Sequence, residues 1–250
     1  MKYSFKGNVA LVSGAGSGIG RATAQLLAAN GLKVVASDLT LEAAQDVVKT
    51  ITDAGGSAVA HAGDVAQAAT AESAVACAVE NFGALHLAVN NAGVGTAPCA
   101  VADMTPEDWQ FVIDINLSGV MHAMRAQIPA MLKAGGGAIV NVSSILGLVG
   151  SPFAPSYVAA KHGVTGLTRS AALAYAAQGV RINSVHPGYV KTAILDNLDA
   201  ETLTGLVDLH AIGRLGESNE VAHTIAFLLS DGASFMAGSA LAVDGGYTAA

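Results

Sequence analysis

Charge is scarce in this chain. Only 12% of its 250 residues are Asp, Glu, Lys or Arg, 52% are hydrophobic, and the formal net charge is -7. Lys and Arg form no run, so nucleic acid and anionic membrane surfaces, which need a concentrated positive patch, are not expected partners. Cysteine is scarce too. Cys77 and Cys99 stand alone, without a CxxC pair or a Cys/His cluster. This speaks against a disulfide framework or a metal site, and reduced thiols point to a cytoplasmic protein. Met1 to Gly7 holds two lysines but no apolar stretch, so no secretion signal is read there. Every long apolar run is broken by Gly, Asn, Asp or Lys before it reaches membrane-spanning length. The high apolar content predicts surface buried between subunits.

What the chain does have is a regular alternation of short apolar runs and helical patterns. Strands are expected at 9–13, 34–37, 58–62, 87–89, 138–142, 181–185 and 241–243. Between them lie helical stretches at 19–29, 42–54, 72–82, 106–133, from Tyr157 to about Ala177, and near 219–229. Short, fully apolar strands alternating with helices predict an α/β protein: a Rossmann-like, doubly wound, parallel seven-stranded sheet with helices on both faces. The length suits a single domain over 1–250. Such sheets bind ligands at the carboxyl ends of their strands, where Asp38, Asp64, Asn90, Ser144 and Pro187 all fall. The stretch 189–216 has the weakest pattern and reads as a substrate lid.

The glycines after the first strand read Gly14-x-x-x-Gly18-x-Gly20, with Ser17 and Ile19 between them. Residues without side chains let the amides of a helix start approach a pyrophosphate, although a tight strand-to-helix turn would use glycines as well. Asp38, twenty residues after Gly18 and at a strand end, is placed to accept hydrogen bonds from adenosine ribose hydroxyls. Its charge repels a 2′-phosphate and no cation flanks it, so NAD is expected rather than NADP. Asp64 and Val65 fit a cover over the adenine or, equally, a helix N-cap. Asn91, Ala92 and Gly93 end the fourth strand, where Gly93 lets a cofactor pass close to the backbone and Asn91 also suits a structural tie.

Tyr157 and Lys161 are four residues apart on an expected helix, hence on one face. An ammonium beside a phenol lowers the cost of phenolate, so a group with an ordinary pKa of ~10 exchanges protons nearer neutrality. Ser144, thirteen residues before the tyrosine, offers a hydroxyl to the oxygen that gives up or receives the proton. Together these predict proton transfer at an alcohol or carbonyl oxygen.

In these motifs the chain resembles the short-chain dehydrogenase/reductase family almost from end to end. The resemblance rests on Ser13-Gly14-x-x-x-Gly18-Ile19-Gly20, Asp64, Asn90-Asn91-Ala92-Gly93, Asn116, Ser144, Tyr157-x-x-x-Lys161, Pro187-Gly188 and Asp244-Gly245-Gly246. Serine stands at 13 where the family usually has threonine. The resemblance implies that Tyr157 is the general acid/base and that Lys161 tunes it and holds the nicotinamide ribose. It also implies that Ser144 steadies the substrate oxygen and that Asn116 anchors a water in a proton relay. Pro187-Gly188 is implied to bend the chain beside the nicotinamide and Thr192 to contact the cofactor's carboxamide or phosphate side, although a plain loop threonine would read the same; Val190 is counted with the cofactor site. Ser143 is one residue too far from Tyr157 for the catalytic role. His162 points about 100° away from Lys161 around the helix and is expected to pack rather than react. Homotetramers are implied by the family as well.

The expected substrate wall comprises 94–97, 145–153 (Ile145 first), Tyr189 and the lid residues Ile194, Leu195 and Leu198, mostly apolar and without a cation. It favours a neutral secondary alcohol or ketone. Lys191 and Arg214 flank the lid and keep an anionic group open. The tail from Ile212 to Gly246 is similar to dehydrogenases of cyclic alcohols, which tilts the expectation towards a cyclic or aryl alcohol. The alternative is a 3-oxoacyl reductase using NADPH; the stretches 134–137 and 174–179, where an acidic carrier protein would dock, hold no basic residue. A third reading is a non-catalytic NAD-binding sensor, against which the four filled catalytic positions argue.

Overall fold

In a computed structural model, residues 2–95, 97–192 and 199–249 are described. Seven strands form one parallel sheet: β1 (Val9–Ser13), β2 (Lys33–Asp38), β3 (Ser57–Ala62), β4 (Leu87–Asn90), β5 (Gly137–Val142), β6 (Val180–Pro187) and β9 (Ala240–Val243). Their order is β3-β2-β1-β4-β5-β6-β9. The order reverses between β1 and β4, and a crevice opens there at the carboxyl ends.

Alternation along each strand builds two cores. Ala10, Val12, Val34 and Ala36 face one side of the sheet, where they meet Leu27 of α1 (Gly18–Ala29), Val47 of α2 (Leu41–Asp53) and Ile225 of α8 (Ser218–Leu229). Val9, Leu11 and Val35 face the other side, against Ala78 of α3 (Ala68–Phe82), Met131 of α5 (Gly119–Lys133) and Val164 of α6 (Pro155–Tyr175). Where both faces are covered, as at β1 and β4, the strands read as largely apolar runs in the sequence.

Three buried amides cross this apolar interior. Asn90 donates to Asn141 (2.8 Å) and exchanges hydrogen bonds with Gln127, while Asn141 donates to Thr168 (2.9 Å). The chain of bonds ties β4 and β5 to α5 and α6. Each member has a partner, as burial requires.

The expected helix 106–133 is interrupted. α4 (Pro106–Ile113) passes through a π-helical turn at Asp114–Ser118 before α5 continues. The turn carries the fully buried Asn116. One extra residue per turn is seldom tolerated away from a functional site, and hydrophobic periodicity does not reveal it.

The described parts of 189–216 hold more regular structure than the sequence suggests. β7 (Val190–Lys191) and β8 (Gly216–Glu217) form a small parallel pair at its two ends. Between them α7 (Ala200–Asp208) starts at Asp199, whose carboxylate accepts from the Thr202 amide (2.8 Å) and hydroxyl (2.9 Å). Two threonines and a glycine in nine residues gave a weak helical signal. Ile194, Leu195 and Leu198 lie outside the described residues. Among the described residues no helix is long and apolar enough to cross a membrane, and no cluster of three His, Cys, Asp or Glu is placed to hold a metal.

Candidate active site

The crevice is a cleft of about 580 Å³, within the usual range of small-molecule and cofactor sites. One end is built by the β1–α1 turn. The Ser13 hydroxyl accepts from the amides of Asn91 (3.1 Å) and Ala92 (3.3 Å). The Asn91 side chain donates back to the carbonyls of Ser13 and Gly14, both at 3.1 Å. These bonds tie the tips of β1 and β4 together, so Asn91 has the structural role its position allowed, and serine at 13 uses the hydroxyl that threonine would supply.

Two glycines in the turn have separate reasons. Gly18 has φ +50°, a left-handed conformation that side chains resist. Gly20 does not line the cleft. A Cβ there would come within 1.9 Å of the Gly14 carbonyl oxygen, so the absent side chain at Gly20 shapes the loop from behind. α1 begins at Gly18 with no side-chain cap from Ser17. Its first-turn amides therefore stay available to an anion at the positive end of the helix dipole.

Asp38 sits at the same end. One carboxylate oxygen accepts from the Gly16 amide (2.7 Å) and the other from the Leu39 amide (2.8 Å). Each oxygen keeps a lone pair for a further donor. Gly14, Ser17, Gly18, Ile19, Asp38, Asp64, Val65, Asn91, Ala92 and Gly93 all line this half of the cleft. The Asp64 carboxylate accepts from the Ala66 amide (2.9 Å) in the turn before α3, whose N-cap position is Gln67, so Asp64 is not the helix cap. An uncapped helix start, glycines where side chains would intrude and a carboxylate at the far end are the features a dinucleotide requires.

At the other end the loop after β5 meets α6. Lys161 is buried, and its Nζ donates to the Val142 carbonyl at 3.0 Å. The Lys161 carbonyl accepts from the hydroxyls of Ser143 (2.9 Å) and Thr165 (3.0 Å). Ser143 thus fastens the helix to the strand end. Lys161 Nζ lies 5.4 Å from the centre of the Tyr157 ring. Burial lowers the lysine pKa to about 8.

The phenol behaves differently from the expectation drawn from spacing. Its pKa is raised, first by burial, while hydrogen bonding to Ser144 pulls it down and Tyr189 pushes it up. The ammonium stands over the ring face and is committed to Val142, which leaves desolvation dominant. Ser144, Ile145, Tyr157, Lys161 and Tyr189 line the cleft here, as do Pro187, Gly188, Val190 and Thr192.

Asn116 lies behind the wall rather than in it. Its carboxamide pairs with both backbone groups of Val94, at 2.8 Å each. A Cβ on Gly93 would sit 3.0 Å from its Oδ1 and 3.6 Å from Lys161 Nζ, so the three are close neighbours. His162 is exposed on α6 rather than packed, and its Nδ1 lies 3.0 Å from the Val158 carbonyl of its own helix.

Sequence reasoning passed over several groups. Gly63, Ile115 and Ala154 line the cleft without any motif to mark them. The His210 imidazole joins two parts of the lid: Nε2 accepts from the Tyr189 amide (3.1 Å) and Nδ1 donates to the Leu206 carbonyl (2.8 Å). Tyr247 packs on both His210 and Tyr189. The two cations beside the lid are already paired, Lys191 with Glu217 (2.7 Å) and Arg214 through two bonds with Glu220 (2.8 and 2.7 Å). No short-range pattern announces contacts between segments so far apart.

Comparison with known proteins gives consistent matches over the whole chain. A family model described as "Enoyl-(Acyl carrier protein) reductase" matches residues 14–248. The cyclohexanol dehydrogenase of Acinetobacter sp. (strain SE19) is 53% identical, covering 99% of this chain and 98% of its own. The cis-4-hydroxycyclohexanecarboxylate dehydrogenase of Sinomonas cyclohexanicum is 46% identical over the full length of both. Among solved structures, a short-chain type dehydrogenase/reductase from Mycobacterium marinum superposes with a TM-score of 0.94 at 31% identity, covering 99% of this chain and 98% of the other.

Proposed function

Since the chain belongs to the short-chain dehydrogenase/reductase family, we propose that it is an NAD-dependent dehydrogenase of small, neutral, cyclic secondary alcohols, with Tyr157 as general acid/base. The observation that carries this reading is the Ser144, Tyr157 and Lys161 cluster at one end of a cleft whose other end presents Asp38. A nicotinamide held along the cleft would supply the hydride acceptor for the carbinol carbon. The chain's own task is orientation and proton traffic. Ser144 donates to the substrate oxygen, and Tyr157, as phenolate, receives its proton. Lys161 supplies the positive charge that offsets the phenolate in a poorly hydrated site. Asn116, which neighbours Lys161 across Gly93, would anchor the water that links Lys161 to solvent in the proton relay.

The substrate class follows from the walls. Ile145, Leu146, Ala154 and Tyr189 give an apolar surface beside Ser144, and Lys161 is the only lysine or arginine among the described lining residues. With Lys191 and Arg214 bound to glutamates, a ring bearing a carboxylate finds no ready partner, so a plain ring alcohol, as in the Acinetobacter relative's name, is favoured. The absence of basic residues at 134–137 and 174–179 weighs against a carrier-bound 3-oxoacyl substrate.

NAD is favoured because Asp38 would face a 2′-phosphate with no cation to compensate. Like-charge juxtaposition of this kind costs several kcal/mol, so kcat/KM with NAD should exceed that with NADP by at least ~100-fold. Asp38→Ser should narrow the gap. The test is NADH absorbance with cyclohexanol, other ring alcohols and hydroxycyclohexanecarboxylates, each with both cofactors. A preference for NADP would overturn the Asp38 assignment, and faster reduction of 3-oxoacyl thioesters would overturn the substrate class. A homotetramer in the cytoplasm belongs to the same proposal. It is supported by Trp109, Phe111 and Met121, which leave 40%, 56% and 39% of their surface exposed along α4 and α5. Light scattering reads the state directly.

A further inference from the structure

His186 is fully buried at the end of β6, immediately before Pro187, and does not line the cleft. Its Nδ1 lies 2.8 Å from the Ser144 carbonyl oxygen, and its Nε2 lies 2.8 Å from the Ser184 hydroxyl. A carbonyl only accepts, so Nδ1 carries the proton. In a neutral imidazole Nε2 then accepts, and the Ser184 hydroxyl donates to it at 2.8 Å in preference to the Ser239 carbonyl at 3.4 Å. Burial holds the ring neutral, with Lys161, Arg169 and His162 acting in the same direction and the Ser144 carbonyl opposing them.

The other bonds of Ser144 show what this contact accomplishes. Its carbonyl also accepts from the Gly147 amide at 2.8 Å. Its hydroxyl oxygen accepts from the Leu146 amide at 3.2 Å, which leaves the hydroxyl proton to point towards the Tyr157 phenol, where the substrate oxygen would sit. The Ser144 peptide is thus held from two sides, by its own turn and by a ring on the neighbouring strand. Without the ring, the turn alone would set its direction. A misplacement of about 1 Å in a reacting group lowers rate by roughly 100-fold.

We propose that His186 is a positioning residue of the reaction: an imidazole fixed by Ser184 as the Nδ1–H tautomer, which orients Ser144 towards the substrate oxygen. The inference rests on the reading of Ser144 as the substrate-binding hydroxyl. It differs from a buried histidine that merely satisfies its own nitrogens, because the required donor sits at one defined place on the ring. Asparagine can put an amide nitrogen where Nδ1 is; glutamine reaches the Nε2 position instead, and leucine offers neither.

The test compares His186→Asn, His186→Gln and His186→Leu with the wild type, using cyclohexanol and NAD. For His186→Leu and His186→Gln, kcat should fall by ~10- to 100-fold while NAD affinity stays within ~2-fold; His186→Asn should stay within ~5-fold of wild type. Ser144 lowers the phenol's pKa. The rise of kcat with pH should therefore move to higher pH in His186→Leu and not in His186→Asn. Equal kcat in all three variants, or rescue by glutamine and not asparagine, overturns the proposal. If His186→Leu does not fold, Ser184→Ala carries the test. Lower kcat at unchanged melting temperature supports the proposal, and unchanged kcat overturns it. Nitrogen-15 NMR of the wild-type imidazole reads the tautomer without any substrate: a protonated Nδ1 is expected, and a protonated Nε2 overturns the inference. A wild type inactive on every alcohol would sink the dehydrogenase reading, while the NMR result would still decide the tautomer.

Discussion

Tyr157→Phe is expected to lower turnover of cyclohexanol by at least ~100-fold while leaving NAD binding in place. The substitution keeps the ring that packs under Lys161 and removes only the hydroxyl. Steady-state NADH formation measures the first effect, and quenching of Trp109 fluorescence or calorimetry with NAD measures the second. If more than a tenth of the turnover survives, the proton goes elsewhere and the assignment of Tyr157 fails. The wild type should also show a direction in pH. Burial raises the phenol's pKa, so the base form needed for alcohol oxidation is the minor one near neutrality. Oxidation should accelerate from neutral to mildly alkaline solution. The phenol and the ammonium lose protons as a pair, so the limb belongs to both.

Lys161→Met should separate activity from stability. Turnover should again fall by at least ~100-fold, because the phenolate loses its nearby positive charge. Stability at pH 7 should rise. In the folded protein the lysine titrates at about 8 instead of 10.5, which corresponds to a penalty on the order of 3 kcal/mol for keeping the charge buried. Methionine fills similar space without that penalty, although the Val142 carbonyl loses its donor. The sign follows from proton binding. Between pH 8 and 10.5 the unfolded chain holds a proton that the folded one has lost, so wild-type stability rises with pH over that window. The penalty is fully present below about pH 8 and gone above 10.5. The advantage of Lys161→Met in urea or thermal unfolding should therefore shrink from pH 8 upward. A variant less stable than wild type at pH 7, or an advantage that grows with pH, would show that the ammonium is not a net burden to the fold.

The same balance explains what could be read in advance. The strands were visible because a sheet covered on both faces needs continuous apolar residues, and VALVS or AIVNV leaves little else to infer. The residues of the cleft were visible where chemistry demands a rare type at a fixed offset. Gly18 with its positive φ, Asp38 past a strand and Tyr157 four residues from Lys161 are of that kind. Gly20 matched the same motif but serves the loop from behind, because a motif records that a side chain is unwelcome without saying what it would strike. The direction of the phenol shift was misjudged from spacing alone. Two side chains on one helix face can meet, but how deeply they are buried depends on β5, β6 and the lid, none of which spacing describes.

By itself the sequence determined the sheet, its helices, the cofactor loop and the four polar side chains proposed for the reaction, because each is written in periodicity or in local offsets. Tertiary structure alone decided that Ser143 ties the Lys161 helix to β5, that His210 clasps the lid and that His186 holds the Ser144 peptide. Those contacts join residues 18 to 42 positions apart through strands lying side by side, and their geometry exists only once the sheet has formed.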